Sequence, residues 1–150
     1  MEIEEYTKNN YITSTDKSKL DLETVHAYLT RSYWSENIPF EIVKKSTEHS
    51  LCFGVYNKTK QIGFARVISD YTTFAYLADV FILEEERGKG LSKWLMECIL
   101  KNHALQGLRS ITLMTKDAHG LYEKYGFKIN PFPNRYMIKR VENIYKKNEP

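Results

Sequence analysis

Cysteine is scarce in this chain, with two among 150 residues. Cys52 and Cys98 lack metal-ligand spacing, and each sits in an apolar stretch. They are expected to be buried free thiols, not a disulfide framework or a zinc centre. Long apolar runs are missing as well. None approaches the ~20 residues that a membrane-spanning helix needs, so no membrane segment is expected. The first ten residues are acidic and polar and lack the basic start and apolar stretch of a secretory signal. A cytoplasmic protein is the default expectation. A surplus of one charge is absent too. Twenty-two basic against 19 acidic residues leave a net +3, too little to argue for a nucleic-acid partner. The basic tail from Ile138 onward is interleaved with acids and reads as a solvated end. No repeat, low-complexity tract or linker interrupts the chain, so residues 1–150 are expected to form one domain.

What is present is concentrated between Asp79 and Ile99. The apolar run Val80, Phe81, Ile82 and Leu83 reads as a buried strand. Arg87-Gly88-Lys89-Gly90 reads as a loop. Leu91, Trp94, Leu95, Cys98 and Ile99 then recur on one face of a helix. A glycine loop that opens a helix bares backbone N–H groups at the positive end of the helix dipole, a geometry that binds phosphate anions. Gly88 and Gly90 allow close approach of a ligand to the backbone. Arg87, Lys89 and Lys93 add positive charge. The spacing is not that of a P-loop. It is not the three-glycine dinucleotide fingerprint either, because Lys93 stands where the third glycine would be.

Arg87-Gly88-Lys89-Gly90-Leu91-Ser92 resembles the acetyl-CoA loop of the GNAT superfamily of N-acetyltransferases, Q/R-x-x-G-x-G/A, with Ser92 in the last position. A second stretch, Leu121-Tyr122-Glu123-Lys124-Tyr125-Gly126-Phe127, resembles that family's helix and following Gly-Phe. Asp117 stands where the family commonly has Asn. Both motifs fall in the C-terminal half. The resemblance implies acetyl-CoA as cosubstrate, with Arg87 to Ser92 at its pyrophosphate and Asp117 near its arm. It also implies a bulged central strand in which Val80, Phe81 and Ile82 pair with the pantetheine. Tyr122 is implied as the acid that protonates the departing thiolate, with Tyr125 as the alternative. The link between the first two helices would cover the acceptor, which points to Arg31, Tyr33 and Trp34.

The chain in order agrees with that fold. Asp21 can cap a helix through Leu22, Val25 and Leu29, with His26 packed near its apolar face. Pro39 suits the first turn of a second helix, Phe40 to Lys45. Ser50 to Tyr56, Gln61 to Ser69 and Phe74 to Leu83 read as a three-stranded meander, preceded by a candidate strand at Tyr11 to Thr13. Gly63, inside a strand, marks a close backbone approach or a bulge. The helix after the glycine loop is expected to end near Gly107. A strand at Ile111 to Thr115, a helix at Ala118 to Tyr125, and strands from Phe127 and over Tyr136 to Val141 complete the pattern. This order predicts an α+β domain whose mostly antiparallel sheet is flanked by helices on both faces.

N-acetyl transfer needs a neutral amine, and an alkylammonium with a pKa of about 10 must first lose a proton. Asp79 on the central strand is the leading base, or a binder of the acceptor's ammonium group. Glu84 is second, because the run Glu84-Glu85-Glu86 reads as a solvated turn. Phe64 and Arg66, two apart on one strand, either reach the acceptor or cover the sheet. A carboxylate beside Tyr33 and Trp34 suits a small cationic amine or an amino acid. A protein or peptide amine, or a non-catalytic acyl-CoA-binding module, are the alternatives. No metal is required, and a homodimer is compatible with all three.

Overall fold

Alternation along three consecutive strands sets the layers. Leu51, Phe53 and Val55 face one side of the sheet with Ala65, Val67, Ala75 and Leu77, while Cys52 faces the other with Phe64 and Phe81. Each side needs a helical cover, and the sequence supplies both. The computed structural model describes residues 1–146. Its sheet has six strands in sequence order: β1 Glu5–Lys8, β2 Tyr11–Ser14, β3 Leu51–Asn57, β4 Lys60–Ser69, β5 Phe74–Ile82 and β6 Ser110–Leu113. All neighbours are antiparallel except β5 and β6, which are parallel. The fold is therefore α+β with a mostly antiparallel sheet.

Helix α3, Leu91–Lys101, covers the first face with Leu91, Trp94, Leu95, Met96, Cys98 and Ile99. Helices α1, Leu22–Leu29, and α2, Phe40–Glu48, cover the second with Val25, Leu29 and Val43. Asp21 caps α1 by accepting from the Thr24 N–H. Pro39 stands at the start of α2. Both cysteines are buried, free thiols, and burial pushes each thiol up to about 11.

Four local expectations change. Strand β1 is extra: its polar residues carry no strand pattern, but it pairs fully with β2, and Lys19 anchors Glu5 at 2.5 Å. Helix α3 ends at Lys101, not near Gly107, because Asn102 leaves the helical conformation and its side chain accepts from the Ala104 N–H. A 3₁₀ turn follows, and Gly107 takes its positive φ of 76° beyond it. Helix α4 is limited to His119–Glu123. The strands expected from Phe127 and over Tyr136 to Val141 are absent: among the described residues neither segment has a ladder partner. Local β pattern is not enough to make a strand without one. Of the basic tail, residues 147–150 lie outside the described residues.

Gly63 is a close approach. A Cβ there would lie 2.6 Å from Ile82 Cδ1 and 3.0 Å from the Phe81 carbonyl oxygen. The carbonyl belongs to the neighbouring ladder and cannot move aside. Gly63→Ala is expected to lower unfolding free energy by about 1–3 kcal/mol, measured by urea denaturation; an unchanged midpoint would contradict this packing.

Candidate active site

The site begins at a mismatch between β4 and β5. Phe64 pairs with Phe81 and Arg66 with Ala78, so Asp79 and Val80 together oppose Ala65. This is a β-bulge, with the extra residue on β5. Asp79 has φ of 57°, the left-handed region that Asp tolerates better than most residues. Both its carboxylate oxygens are engaged. Oδ1 accepts from Trp34 Nε1 at 2.9 Å and Oδ2 from Arg66 Nε at 2.8 Å. Arg66 also donates from Nη1 to Ser50 Oγ at 3.2 Å. A carboxylate offers about four acceptor positions, so lone pairs remain on Asp79 for a ligand.

Beyond the bulge, β5 loses its other neighbour. The β5–β6 ladder covers Phe74 to Leu77 only. Ala78 to Ile82 continue with no strand, among the described residues, on the side away from β4. That edge leaves Val80, Phe81 and Ile82 beside a backbone row available to an extended ligand. Tyr33 spans the gap from the α1–α2 link: its hydroxyl accepts from the Lys116 N–H at 3.2 Å, just past β6. Its ring packs edge-on to Trp34 at 5.1 Å, and Lys116 Nζ lies 5.4 Å from the ring centre.

The strand leads through the turn Glu84–Glu86 into the glycine loop. Gly88 and Gly90 have φ of 83° and 76°, and nothing lies within 4 Å of where their Cβ atoms would stand. Both positions therefore need glycine for conformation while facing open space beside the N-terminus of α3. Gly90 caps that helix without a side chain, so the first-turn N–H groups of Leu91 and Ser92 are left to a ligand. The nearby charges are largely spent. Arg87 donates to the Ile82 carbonyl at 3.2 Å and to Tyr28 Oη at 2.7 Å. Lys89 pairs with Glu86 at 2.7 Å. Asp117 is exposed on the loop before α4.

Tyr122 sits half-buried on α4, its ring edge-on to Phe127 at 5.9 Å. Burial raises its phenol above the ordinary value, and its hydroxyl has no hydrogen-bond partner among the described residues. Tyr125 differs: its hydroxyl donates to the Lys93 carbonyl at 3.0 Å and ties the turn after α4 to α3. The two oxygens of Glu84 accept from Arg31 at 2.6 and 3.0 Å. That guanidinium holds Glu84 down to about 2, so Glu84 is a poor reservoir for a proton at neutral pH. Arg31 in turn ties the α1–α2 link to the turn after β5. Phe64 has no exposed surface and packs 6.0 Å from Phe81. It is a floor under the site and cannot touch a ligand without rearrangement. His26 accepts no catalytic geometry either: its Nε2 bonds the Ile38 carbonyl at 2.9 Å and its ring meets Phe40 edge-on.

Three participants were not legible as such. Tyr28 stacks face-on over Phe81 at 4.0 Å and holds Arg87; its place one turn after Val25 on α1 was the available signal. Ser50 and Lys116 gave none, because their partners are distant in sequence. A cleft of about 320 Å³ begins at Arg66 and runs between α2 and β4, lined by Ile42, Lys45, Ser46, His49, Ser50 and Ile68.

The Tyr33 bridge is testable without a ligand. Tyr33→Phe keeps the ring and removes the acceptor, so exchange of the Lys116 amide is expected to speed up about 2- to 10-fold by NMR. Unchanged exchange would mean that the hydroxyl does not hold that segment.

Comparison with known proteins identifies the family and the fold. Residues 48–129 match the family described as the acetyltransferase (GNAT) domain. A Gibberella zeae protein named as an acetyltransferase is 32% identical over 79% of each chain. The crystal structure of a GNAT-family protein of Xanthomonas campestris is 47% identical, with a TM-score of 0.89 over 91% of this chain and 97% of that one. A Clostridium acetobutylicum protein solved with acetyl-CoA shares the fold at 13% identity, with a TM-score of 0.64 over 87% of this chain and 95% of that one. The chain belongs to the GNAT acetyltransferase family and is an acyltransferase.

Proposed function

We propose that this protein moves an acetyl group from acetyl-CoA to the primary amine of a small molecule or amino acid by direct attack. The observation that carries the reading is the succession of two open features: the unpaired edge of β5 beyond the bulge leads, through the turn Glu84–Glu86, to the open glycine loop at the start of α3. An extended arm ending in a pyrophosphate needs that pairing of features. Val80, Phe81 and Ile82 would hold the arm through backbone groups, and Gly88 to Ser92 would hold the pyrophosphate through N–H groups. Asp117, exposed on the loop before α4, would stand near the arm. When bound, acetyl-CoA supplies the thioester acyl group.

The chain's own residues do the rest. Asp79 fixes Trp34 and Arg66 in place, and its free lone pairs receive the acceptor's ammonium or its proton. Trp34 and Tyr33 form the aromatic wall, while Arg31 braces the link that carries them. Holding both reactants in one geometry supplies much of the rate. Tyr122 keeps a proton on Oη for the sulfur that leaves.

Coenzyme A is expected to raise the melting temperature of the protein, by mass action on the folded state. Gly90→Glu adds bulk, backbone strain and negative charge to the loop and should abolish that shift. Equal shifts in both proteins would remove the loop from the site.

Tyr122→Phe keeps the ring packing and removes the proton. Turnover with an identified amine is expected to fall by about 10²- to 10⁴-fold, the usual range for a general acid, while CoA affinity stays nearly unchanged. Burial raises this phenol, so the acid form persists past its ordinary pKa of about 10. Any alkaline loss of activity from Tyr122 should therefore fall above pH 10. Unchanged turnover in the folded variant would make Tyr122 a packing residue.

A further inference from the structure

The cleft between α2 and β4 carries charge of one sign. Ile42, Lys45, Ser46 and His49 line it from one stripe of α2 and its C-cap, and Arg66 and Ile68 line it from β4. Its titratable side chains are Lys45, His49 and Arg66, and no carboxylate lines it. Lys45 and His49 are exposed, and neither has an ion-pair partner among the described residues. Cations in the last turn of a helix also suit its dipole. That role accounts for neither the apolar walls nor Arg66. Ile42 and Ile68 are 42% and 44% exposed and line the same cleft from opposite elements.

Arg66 is the fixed part of this wall. Its Nε donates to Asp79 at 2.8 Å and its Nη1 to Ser50 Oγ at 3.2 Å. Ser50 is buried, and its hydroxyl donates in turn to the Ser46 carbonyl at 2.7 Å. The guanidinium plane is therefore held from two sides. A guanidinium has five N–H donors, and Nη2 has no partner among the described residues. A planar cation held in one orientation with donors to spare suits a carboxylate better than a mobile lysine does. Asp79 stands beside the same guanidinium with lone pairs open. A negative and a positive group this close match an α-amino acid, whose ammonium and carboxylate flank a single carbon.

We propose that the acceptor is an α-amino acid with an apolar side chain, and that Arg66 is the residue that selects it. The amino group faces Asp79, the carboxylate faces the free N–H groups of Arg66, and the side chain lies between Ile42 and Ile68. Lys45 and His49 add positive potential along the same wall. A plain amine leaves the free donors of Arg66 without a partner. A peptide's N-terminal amine has an amide where the carboxylate would be and forfeits the same contact. In the transfer, the amine nitrogen bonds the acetyl carbon, the C–S bond breaks, and the proton lost from nitrogen balances the one sulfur takes up. The amine half of this proposal rests on the acetyl-transfer reading, whereas the carboxylate contact stands apart from it.

Two arms test the two halves. In the first, 3-methylbutanoate and its uncharged amide are titrated into the protein without acetyl-CoA and followed by NMR. The acid is expected to move the Ser46, His49 and Ser50 amides and the Arg66 Nε–H, and to bind about tenfold or more tighter than the amide. Arg66→Gln combined with Asp79→Asn removes both charges together, so neither is stranded, and should abolish the acid's shifts. Lys45→Gln, on exposed surface, should weaken the acid about 2- to 5-fold. In the second arm, thiol release from acetyl-CoA is compared for L-leucine against 3-methylbutylamine and for L-phenylalanine against 2-phenylethylamine. Each amino acid is expected to exceed its amine by about 10- to 100-fold in kcat/KM per neutral amine. Absence of the acid's shifts, equal binding of acid and amide, shifts that survive in the folded double variant, or amines used as well as amino acids would each overturn the proposal. No thiol release with any amine, with the acid's shifts intact, would count against acetyl transfer and leave the carboxylate site standing.

Discussion

Everything in the candidate site follows from one extra residue in β5. A flat ladder between β4 and β5 would turn Asp79 away from its present partners and carry the strand straight on beside β6. The bulge instead places Asp79 in the left-handed region, a conformation that costs a non-glycine residue on the order of 1–3 kcal/mol. Two hydrogen bonds to its carboxylate, each of the charged kind worth about 1.5–3 kcal/mol, are enough to hold it there. Those bonds come from Trp34 on the α1–α2 link and Arg66 on β4. The same residue therefore sets the backbone of the strand edge, the position of Trp34 and the position of Arg66. The Arg66 and Asp79 side chains are 17% and 9% exposed. Removing one alone would strand the other's charge in a poorly solvated place.

The loop beyond the strand divides its labour in a similar way. Its cations look like phosphate ligands in a sequence, but Arg87 fastens the loop to β5 and α1, and Lys89 is paired with Glu86. The backbone N–H groups at the start of α3 are then the open polar groups of the loop, which glycine geometry presents and no side chain caps. A site made of main chain needs rigidity more than charge. Arg87, Tyr28 and the Arg31–Glu84 pair all brace the turn from the same side.

Much of this was legible. Period-two strands, the Asp21 cap, Pro39 before α2, Gly63 and the glycine loop each express a local physical requirement that residue type reveals. Pairing across the chain was less so. Trp34 and Asp79 are 45 residues apart, and nothing in either neighbourhood announces their hydrogen bond. Phe64 and Arg66 read as two positions on one face. The bulge between them and β5 leaves Phe64 fully buried and Arg66 at the site. Tyr122 and Tyr125 are alike by motif and separate only by partners, since among the described residues one hydroxyl has none and the other is bound to α3. Strand pattern at 136–141 was visible, but among the described residues no strand pairs with it.

The central claim is that the bulge and the glycine loop form one continuous binding surface. Backbone amide shifts during a titration with acetyl-CoA test it most directly. The largest changes are expected at Val80 to Ile82 and Gly88 to Ser92 together, saturating with a single affinity. Unmoved amides in those two stretches, with the largest changes instead around Ile42 to His49, would contradict it.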